Sequence, residues 1–212
     1  TGVDLIYSLA TAGTLIAQRM SLRSPVIATV VNHPASFGVS PKKRPPGSTR
    51  MTGTSYYVEA EKQLHFYRTL FPKINSFGMI FDSQNPAGTA VEEPFFRKAI
   101  KAAGLTFHSA GVKSKAEIRA AVERLIEQGA GIVVIPTNNL IYDNVPLIVE
   151  VTSPKSIPVV SMNKQGVENG ALAGFYADTY DLGRQSGAMA RRILVEGVDP
   201  SGLDFEYIDE PD

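Results

Sequence analysis

The sequence has no cysteine and no tryptophan, and its three histidines, His33, His65 and His108, are widely spaced. Without cysteine there is no disulfide, thiol nucleophile or thiolate metal site. The histidines lack the HxH or HExxH spacing that brings two imidazoles to one ion, so they are read as surface or packing residues and no metal is assigned. Neither sign of charge is in excess, since 21 basic residues balance 21 acidic ones. A nucleic-acid or anionic-membrane partner needs a basic surplus, so nucleic acid is excluded. No apolar run approaches the ~18–20 residues that span a bilayer. G-x-S-x-G, G-x-G-x-x-G and Walker sequences are also missing, which argues against a hydrolase or nucleotide enzyme and leaves no cofactor expected. The carboxylate pairs Glu92-Glu93 and Asp209-Glu210 read as solvated surface. The chain opens at Thr1-Gly2 without Met or a signal peptide, as expected of a processed or excised segment.

What is present is organised around residues 171–194, ALAGFYADTYDLGRQSGAMARRIL. The first half reads as a strand and the second as a helix. Asp178 or Asp181 suits the N-cap, because a short carboxylate accepts from the free N–H groups of the first turn. Gly183, Gly187, Ala190 and Leu194 recur on one helical face. Each glycine costs a helix roughly 1 kcal/mol relative to alanine, so this face is expected to lie very close to a sheet, in a packing rather than a binding role. Asp178 falls at the strand-to-helix turn, where α/β proteins bind ligands.

The rest of the chain alternates in the same way. Strands are expected over 3–7, 25–31, 51–58, 76–81, 105–110, 132–135, 157–161 and 204–208, and helices over 14–20, 59–71, 114–128 and 143–151. Residues 8–13 read as a turn of small residues. Residues 34–50, rich in Pro and Gly, read as loop, with Lys42, Lys43 and Arg44 solvated within it. Residues 89–103 are expected to be mostly helical, with Pro94 in the first turn of a helix starting at Glu93. Ser114 and Glu117 match a capping box, and Ile118, Ala121, Val122, Leu125 and Ile126 form one apolar stripe. The continuous run at 132–135 suits the middle of a parallel sheet. Strands alternating with helices imply parallel sheets and right-handed crossovers.

Short polar residues follow one strand after another: Ser8 and Thr11, Asn32 and His33, then Asp82, Ser83 and Asn85, then Thr137, Asn138 and Asn139, and finally Asn163. In an open α/β sheet the carboxyl ends of the strands share one rim beside helix N-termini. Asn, Ser and Asp also favour ordinary turns. Their recurrence after five strands favours a shared pocket, and their neutral donors and acceptors suit hydrogen bonding to a small polar molecule better than acid–base catalysis.

Four segments, residues 4–18, 44–55 leading into 58–72, 132–139 and 177–194, resemble substrate-binding proteins of ABC transporters, in particular the subfamily that includes aromatic amino-acid binders. RPPGSTRMTG at 44–53 and the 177–194 segment are the most specific. The resemblance implies a two-lobed type I periplasmic-binding-protein-like α/β fold with parallel sheets. Residues 59–170 would form the second lobe, and residues 1–55 with 171–212 the first. The chain would cross between them near 52–58 and 170–178. Relatives carry two further βα units before the point where this chain starts, so the first lobe is expected to be truncated at its N-terminus. Self-association through its uncovered edge is then expected.

The implied function is an extracytoplasmic or periplasmic solute-binding protein. It would hold a small polar molecule in an interlobe cleft and present it to a membrane permease. The candidate ligand-binding residues are Ser8, Thr11, Asn32, Asp82, Ser83, Asn85, Thr137, Asn138, Asn139, Asn163 and Asp178, with Thr11 and Asn32 facing Asp82, Asn85, Thr137 and Asn138 across the ligand. The alternatives are the sensor domain of a membrane signalling protein, the effector domain of a transcription regulator, or an enzyme. An acid–base or nucleophilic pair on the rim would favour the last, and none is found. Amino-acid-binding relatives commonly carry Asp where this chain has Asn138. A neutral acceptor there weakens an ammonium by ~10–100-fold unless Asp82 or Asp178 compensates, so a neutral or anionic ligand is expected.

Overall fold

The structure, a computed structural model, describes residues 2–20, 23–40, 48–85, 88–208 and 211. Lys42, Lys43 and Arg44, and the Asp209-Glu210 pair, lie outside the described residues. The chain falls into two compact units, Thr1–Tyr57 with Ala177–Pro211, and Val58–Tyr176 with Asp212. Among the described residues, no helix is long and apolar enough to cross a membrane.

The first unit holds a four-stranded sheet, β1 (Ile6–Leu9), β2 (Val26–Val31), β3 (Met51–Ser55) and β9 (Glu206–Tyr207), in that spatial order. All its pairings are parallel. Successive side chains of a strand point to opposite faces, and β2 shows the result. Val26 and Ala28 join Ala17 of helix α1 (Ala10–Arg19), while Ile27 packs with Met189 and Ile193 of helix α8 (Thr179–Leu194). Residues 8–13, expected as a turn, instead finish β1 and open α1. A single residue makes the corner, since Ala10 adopts φ 59°, a left-handed conformation uncommon outside glycine.

The second unit is built on a five-stranded parallel sheet in the order β5-β4-β6-β7-β8. Its strands are β4 (Ser76–Asp82), β5 (Thr106–Val112), β6 (Ile132–Ile135), β7 (Val159–Ser161) and β8 (Ala173–Gly174). Helices α2 (Ala60–Leu70), α3 (Glu93–Ala102), α4 (Lys115–Glu127) and α6 (Val145–Thr152) cover it, with short helices α5 (Asn139–Tyr142) and α7 (Lys164–Glu168) after β6 and β7. The helix expected over 143–151 is α6, with Pro146 in its first turn. β6 is apolar throughout because both its faces are covered. Ile132 and Val134 pack with Leu64, Tyr67 and Phe96 from α2 and α3, whereas Val133 and Ile135 pack with Ile118, Leu125 and Ile148 from α4 and α6. Each buried side chain of this kind contributes on the order of 2 kcal/mol. Tyr67 is fully buried yet donates its hydroxyl to the Ser161 carbonyl at 2.8 Å. That bond satisfies the polar end of the ring, and burial pushes its ionisation well above the usual phenol range.

Three local expectations are corrected. At the start of α4 the Ser114 side chain makes no cap bond, and the Glu117 carboxylate accepts instead from the Lys113 N–H at 3.1 Å. In α8 the sheet-facing residues are Leu182, Ser186, Met189 and Ile193. A Cβ added at Gly183 or Gly187 would meet nothing within 4 Å, so the glycine face is not the closely packed one. The strand expected in the first half of 171–194 shrinks to Ala173–Gly174, which pairs with β7.

A glycine that close approach of backbone does require is Gly53, in the middle of β3. Its neighbour β2 shifts register between Ala28 and Val31, and Val30 stands at φ 56°. A β-branched residue there costs about 1–3 kcal/mol. The distorted strand lies so near that a Cβ on Gly53 would sit 1.9 Å from the Ala28 carbonyl oxygen. Gly53→Ala is therefore expected to destabilise the first unit by ~2–4 kcal/mol in urea unfolding, and Gly183→Ala to stabilise it by up to ~1 kcal/mol. A Gly53→Ala chain as stable as the parent would contradict the close approach.

Candidate functional site

Because every strand in a sheet is parallel, all its carboxyl ends collect at one edge. In the first unit this edge is stitched across. The Asn32 N–H donates to Thr11 Oγ1 at 3.0 Å, and Ser55 Oγ donates to the Asn32 carbonyl at 2.6 Å. The Tyr57 N–H in turn donates to Ser55 Oγ at 3.2 Å. Residues following β1, β2 and β3 are thus held in fixed relation. Beneath them the Val30 N–H donates to Thr54 Oγ1, which lies 2.8 Å from Ser186 Oγ of α8. Ser8 turns away from the rim. It is buried with its Oγ 3.1 Å from Thr14 Oγ1, and Thr14 donates to the Ala10 carbonyl. Asp178 is the N-cap of α8, its Oδ1 accepting from the Tyr180 N–H at 2.6 Å.

His33 extends this rim. Its ring meets Tyr57 edge-on at 4.9 Å between centroids and lies 6.3 Å from Tyr207. Tyr57 and Tyr207 were not singled out from the sequence, because they lie 150 residues apart and converge only through the pairing of β3 with β9.

In the second unit the structure draws Thr137, Asn138 and Asn163 together around the Pro136 carbonyl. That oxygen accepts from the Asn138 N–H and from Asn163 Nδ2, each at 3.0 Å. Asn138 Oδ1 accepts from the Leu140 N–H at 2.9 Å, and Asn163 Oδ1 from the Gly166 N–H at 2.7 Å. Both side chains are buried and serve as the N-caps of α5 and α7. Thr137 Oγ1 donates weakly, at 3.5 Å, to the Met162 carbonyl. Asn139 is exposed and accepts from the Tyr142 hydroxyl. Asp82, Ser83 and Asn85 form the turn that closes β4. Asp82 Oδ1 accepts from the Gln84 N–H at 2.8 Å, and Ser83 bonds the Val112 carbonyl at the end of β5. The Asn85 N–H donates to the Asp82 carbonyl.

The two adjacent glutamates are corrected together, since neither is simply solvated. The Glu93 carboxylate pairs with Arg97 and accepts from Ser109 Oγ at 2.8 Å. Glu92 is 5% exposed, and its Oε1 accepts from the Thr137 N–H at 3.2 Å. A π-helical turn over Gly88–Glu92 precedes α3 and carries Glu92 inward. The signal was present in the sequence, because Pro94 fixes where α3 can begin and so places Glu92 at its N-terminus.

His33 gives the first unit's rim a pH dependence. Burial holds the His33 imidazole below its usual value of 6.5, and its Nδ1 already accepts from the Ala35 N–H at 3.0 Å. A protonated ring cannot accept there. The unfolded chain therefore takes up this proton more readily than the folded one. The contribution to stability is complete above about pH 6.5 and is lost as pH falls from there through the lowered folded value. Thermal unfolding between about pH 5 and 7.5 should show this decline on the acid side, and His33→Asn, which keeps an acceptor for Ala35, should reduce the slope. An unchanged slope in the variant would rule His33 out as its source.

The chain is similar to known proteins along its whole length. The profile of the family described as ABC transporter substrate binding protein matches residues 1–212. A tyrosine-binding protein of Clostridioides difficile (strain R20291) is 27% identical over 207 residues, 98% of this chain and 59% of the relative. The chain thus spans under two thirds of that relative's length. Among solved structures, an ABC domain from Streptococcus pneumonia in complex with L-Trp matches with TM-score 0.81 and 25% identity, over 100% of this chain and 72% of the other. A conserved domain protein from Vibrio cholerae matches in fold with TM-score 0.83 and 19% identity, over 100% and 70%. The fold is that of the type I periplasmic binding proteins.

Proposed function

The chain belongs to the ABC transporter substrate-binding protein family, and on that basis we propose that it captures a small polar solute outside the cytoplasm and delivers it unchanged to the permease of an ABC importer. The observation that carries this reading is the chemistry of the strand-end rims. Thr11 and Asn32 in the first unit, and Thr137, Asn138 and Asn163 in the second, are short and uncharged, and the side chains of Thr11, Thr137, Asn138 and Asn163 are fixed by bonds to backbone groups. Such groups orient a solute, whereas acid–base catalysis needs a proton carrier of matched pKa poised on the reacting atom. The remaining candidates contribute less directly: Ser8 braces α1, Asp178 caps α8, and Asp82, Ser83 and Asn85 shape a turn. The similarity to proteins named for tyrosine binding and for a complex with L-Trp supports an aromatic amino acid as the solute class.

The open edge of β1 supports self-association through the first unit. Among the described residues β1 pairs on one side only, with β2, and Tyr7 and Leu9 of β1, Ile16 of α1 and Met20 just after it are exposed. An uncovered edge of this kind is a template for another strand. Sedimentation at rising concentration tests it, and a monomer throughout would count against it.

Native mass spectrometry of protein purified without refolding tests the main reading. One small polar molecule per chain is expected, released intact on denaturation. A chemically altered product would indicate an enzyme instead. A neighbouring gene for a kinase, rather than for a permease and ATPase, would favour the sensor role.

A further inference from the structure

Helices α2 and α3 lie side by side on one face of the second sheet and leave a groove of about 560 Å³ between them. On the α3 side its floor is small and apolar, made by Ala99, Ala102 and Ala103. On the α2 side its wall carries Glu61, His65 and Arg68, with Leu64 buried beneath them. These positions recur three, four and seven residues from Glu61 and form one stripe along the helix. Seven residues bring an α-helix round to within about 20° of the same direction, so Glu61 and Arg68 point the same way. They stand about 10 Å apart along the helix axis.

Elsewhere on this unit opposite charges meet within the chain. Lys62 pairs with Glu59, Arg97 with Glu93, and Arg119 with Glu150. Glu61 and Arg68 make no ion pair among the described residues, and the wall opposite them offers only alanine. Their spacing gives the stripe a particular symmetry. About the midpoint between Leu64 and His65, one end of the stripe is negative and the other positive. An isologous contact brings the same surface of two copies together about a two-fold axis. When two α2 helices meet antiparallel across such an axis, Glu61 of each copy lies opposite Arg68 of the other. Both charges are then matched, and the alanine floor leaves room for the approaching helix.

We propose that the groove between α2 and α3 docks a second copy of this chain. The α2 ridge of each copy sits on the alanine floor of the other, and Glu61 pairs with Arg68 across the axis in both directions. This contact belongs to the second unit and is separate from the β1 edge of the first. It does not depend on the solute-binding reading. Exposed charge pairs are individually weak, so the association is concentration-dependent and falls as salt is added.

The test is sedimentation equilibrium of the whole chain carrying Leu9→Lys, which places a charge on the open edge of β1 and so silences that route to association. A dimer is expected to form as concentration rises from about 1 μM to about 1 mM, and to weaken at high salt. Glu61→Arg and Arg68→Glu each set like charges against one another at two places. Either should weaken the dimer by at least ~10-fold. The double variant, Glu61→Arg with Arg68→Glu, matches opposite charges again in the reverse sense. Its affinity should return to within about 3-fold of the background. Leu9, Glu61 and Arg68 are all exposed, so the fold should tolerate the changes, and an unaltered unfolding temperature checks this. A monomer at every concentration, single reversals without effect, or a double variant as weak as the single ones overturns the inference.

Discussion

The structure depends on parallel strand pairing. A parallel ladder cannot be closed by a hairpin, so each strand must be followed by a crossover, and the crossover helices bury the sheet on both faces. β6 shows what this demands of the sequence. Four consecutive apolar residues serve two cores, Ile132 and Val134 on one side and Val133 and Ile135 on the other. The same constraint sends every strand in one direction, so the chain turns into its helices along a single edge of each sheet. The candidate groups lie on that edge because hydrogen-bonding capacity left over by strand ends and helix starts collects there.

Most of that capacity is used before any solute arrives. Asn138 and Asn163 cap short helices, Asp178 caps α8, and Thr11 and Ser55 tie down the ends of β2 and β3. Each buried polar group that is satisfied removes a desolvation penalty of about 1–3 kcal/mol. The result is a preformed surface whose geometry is set by the protein rather than by the solute. The strain at Ala10 and Val30, both with positive φ at the carboxyl ends of adjacent strands, belongs to the same economy. Tight corners there bring Thr11 and Asn32 within bonding distance of each other.

The sequence disclosed the repetitive parts well. The stripe from Ile118 to Leu125 is periodic and the run Ile132–Ile135 is continuous, and both are buried as their patterns require. The strand-end rim was also legible, because Asn, Thr and Asp recur after strands that composition already marks. The rest depended on contacts between distant residues. Gly53 is needed because β2 is distorted 25 residues away, and nothing local to β3 announces it. Gly183 and Gly187 lie on a common helical face, but the helix is rotated so that Leu182 and Ser186 meet the sheet. Glu92 and Glu93 are chemically identical neighbours. The turn before α3 separates them, sending one to Thr137 and the other to Arg97.

That the solute is held on the carboxyl-end rims is the claim on which the functional reading turns. Hydrogen exchange of the whole chain, free and saturated with whichever of L-tyrosine and L-tryptophan binds more tightly, tests it most directly. Slower exchange is predicted at the amides of Thr11 and Asn32, and at Thr137, Asn138 and the turn preceding Glu93. Protection confined to the opposite strand ends, near Ile74, Ser156 and Ile157, would contradict it.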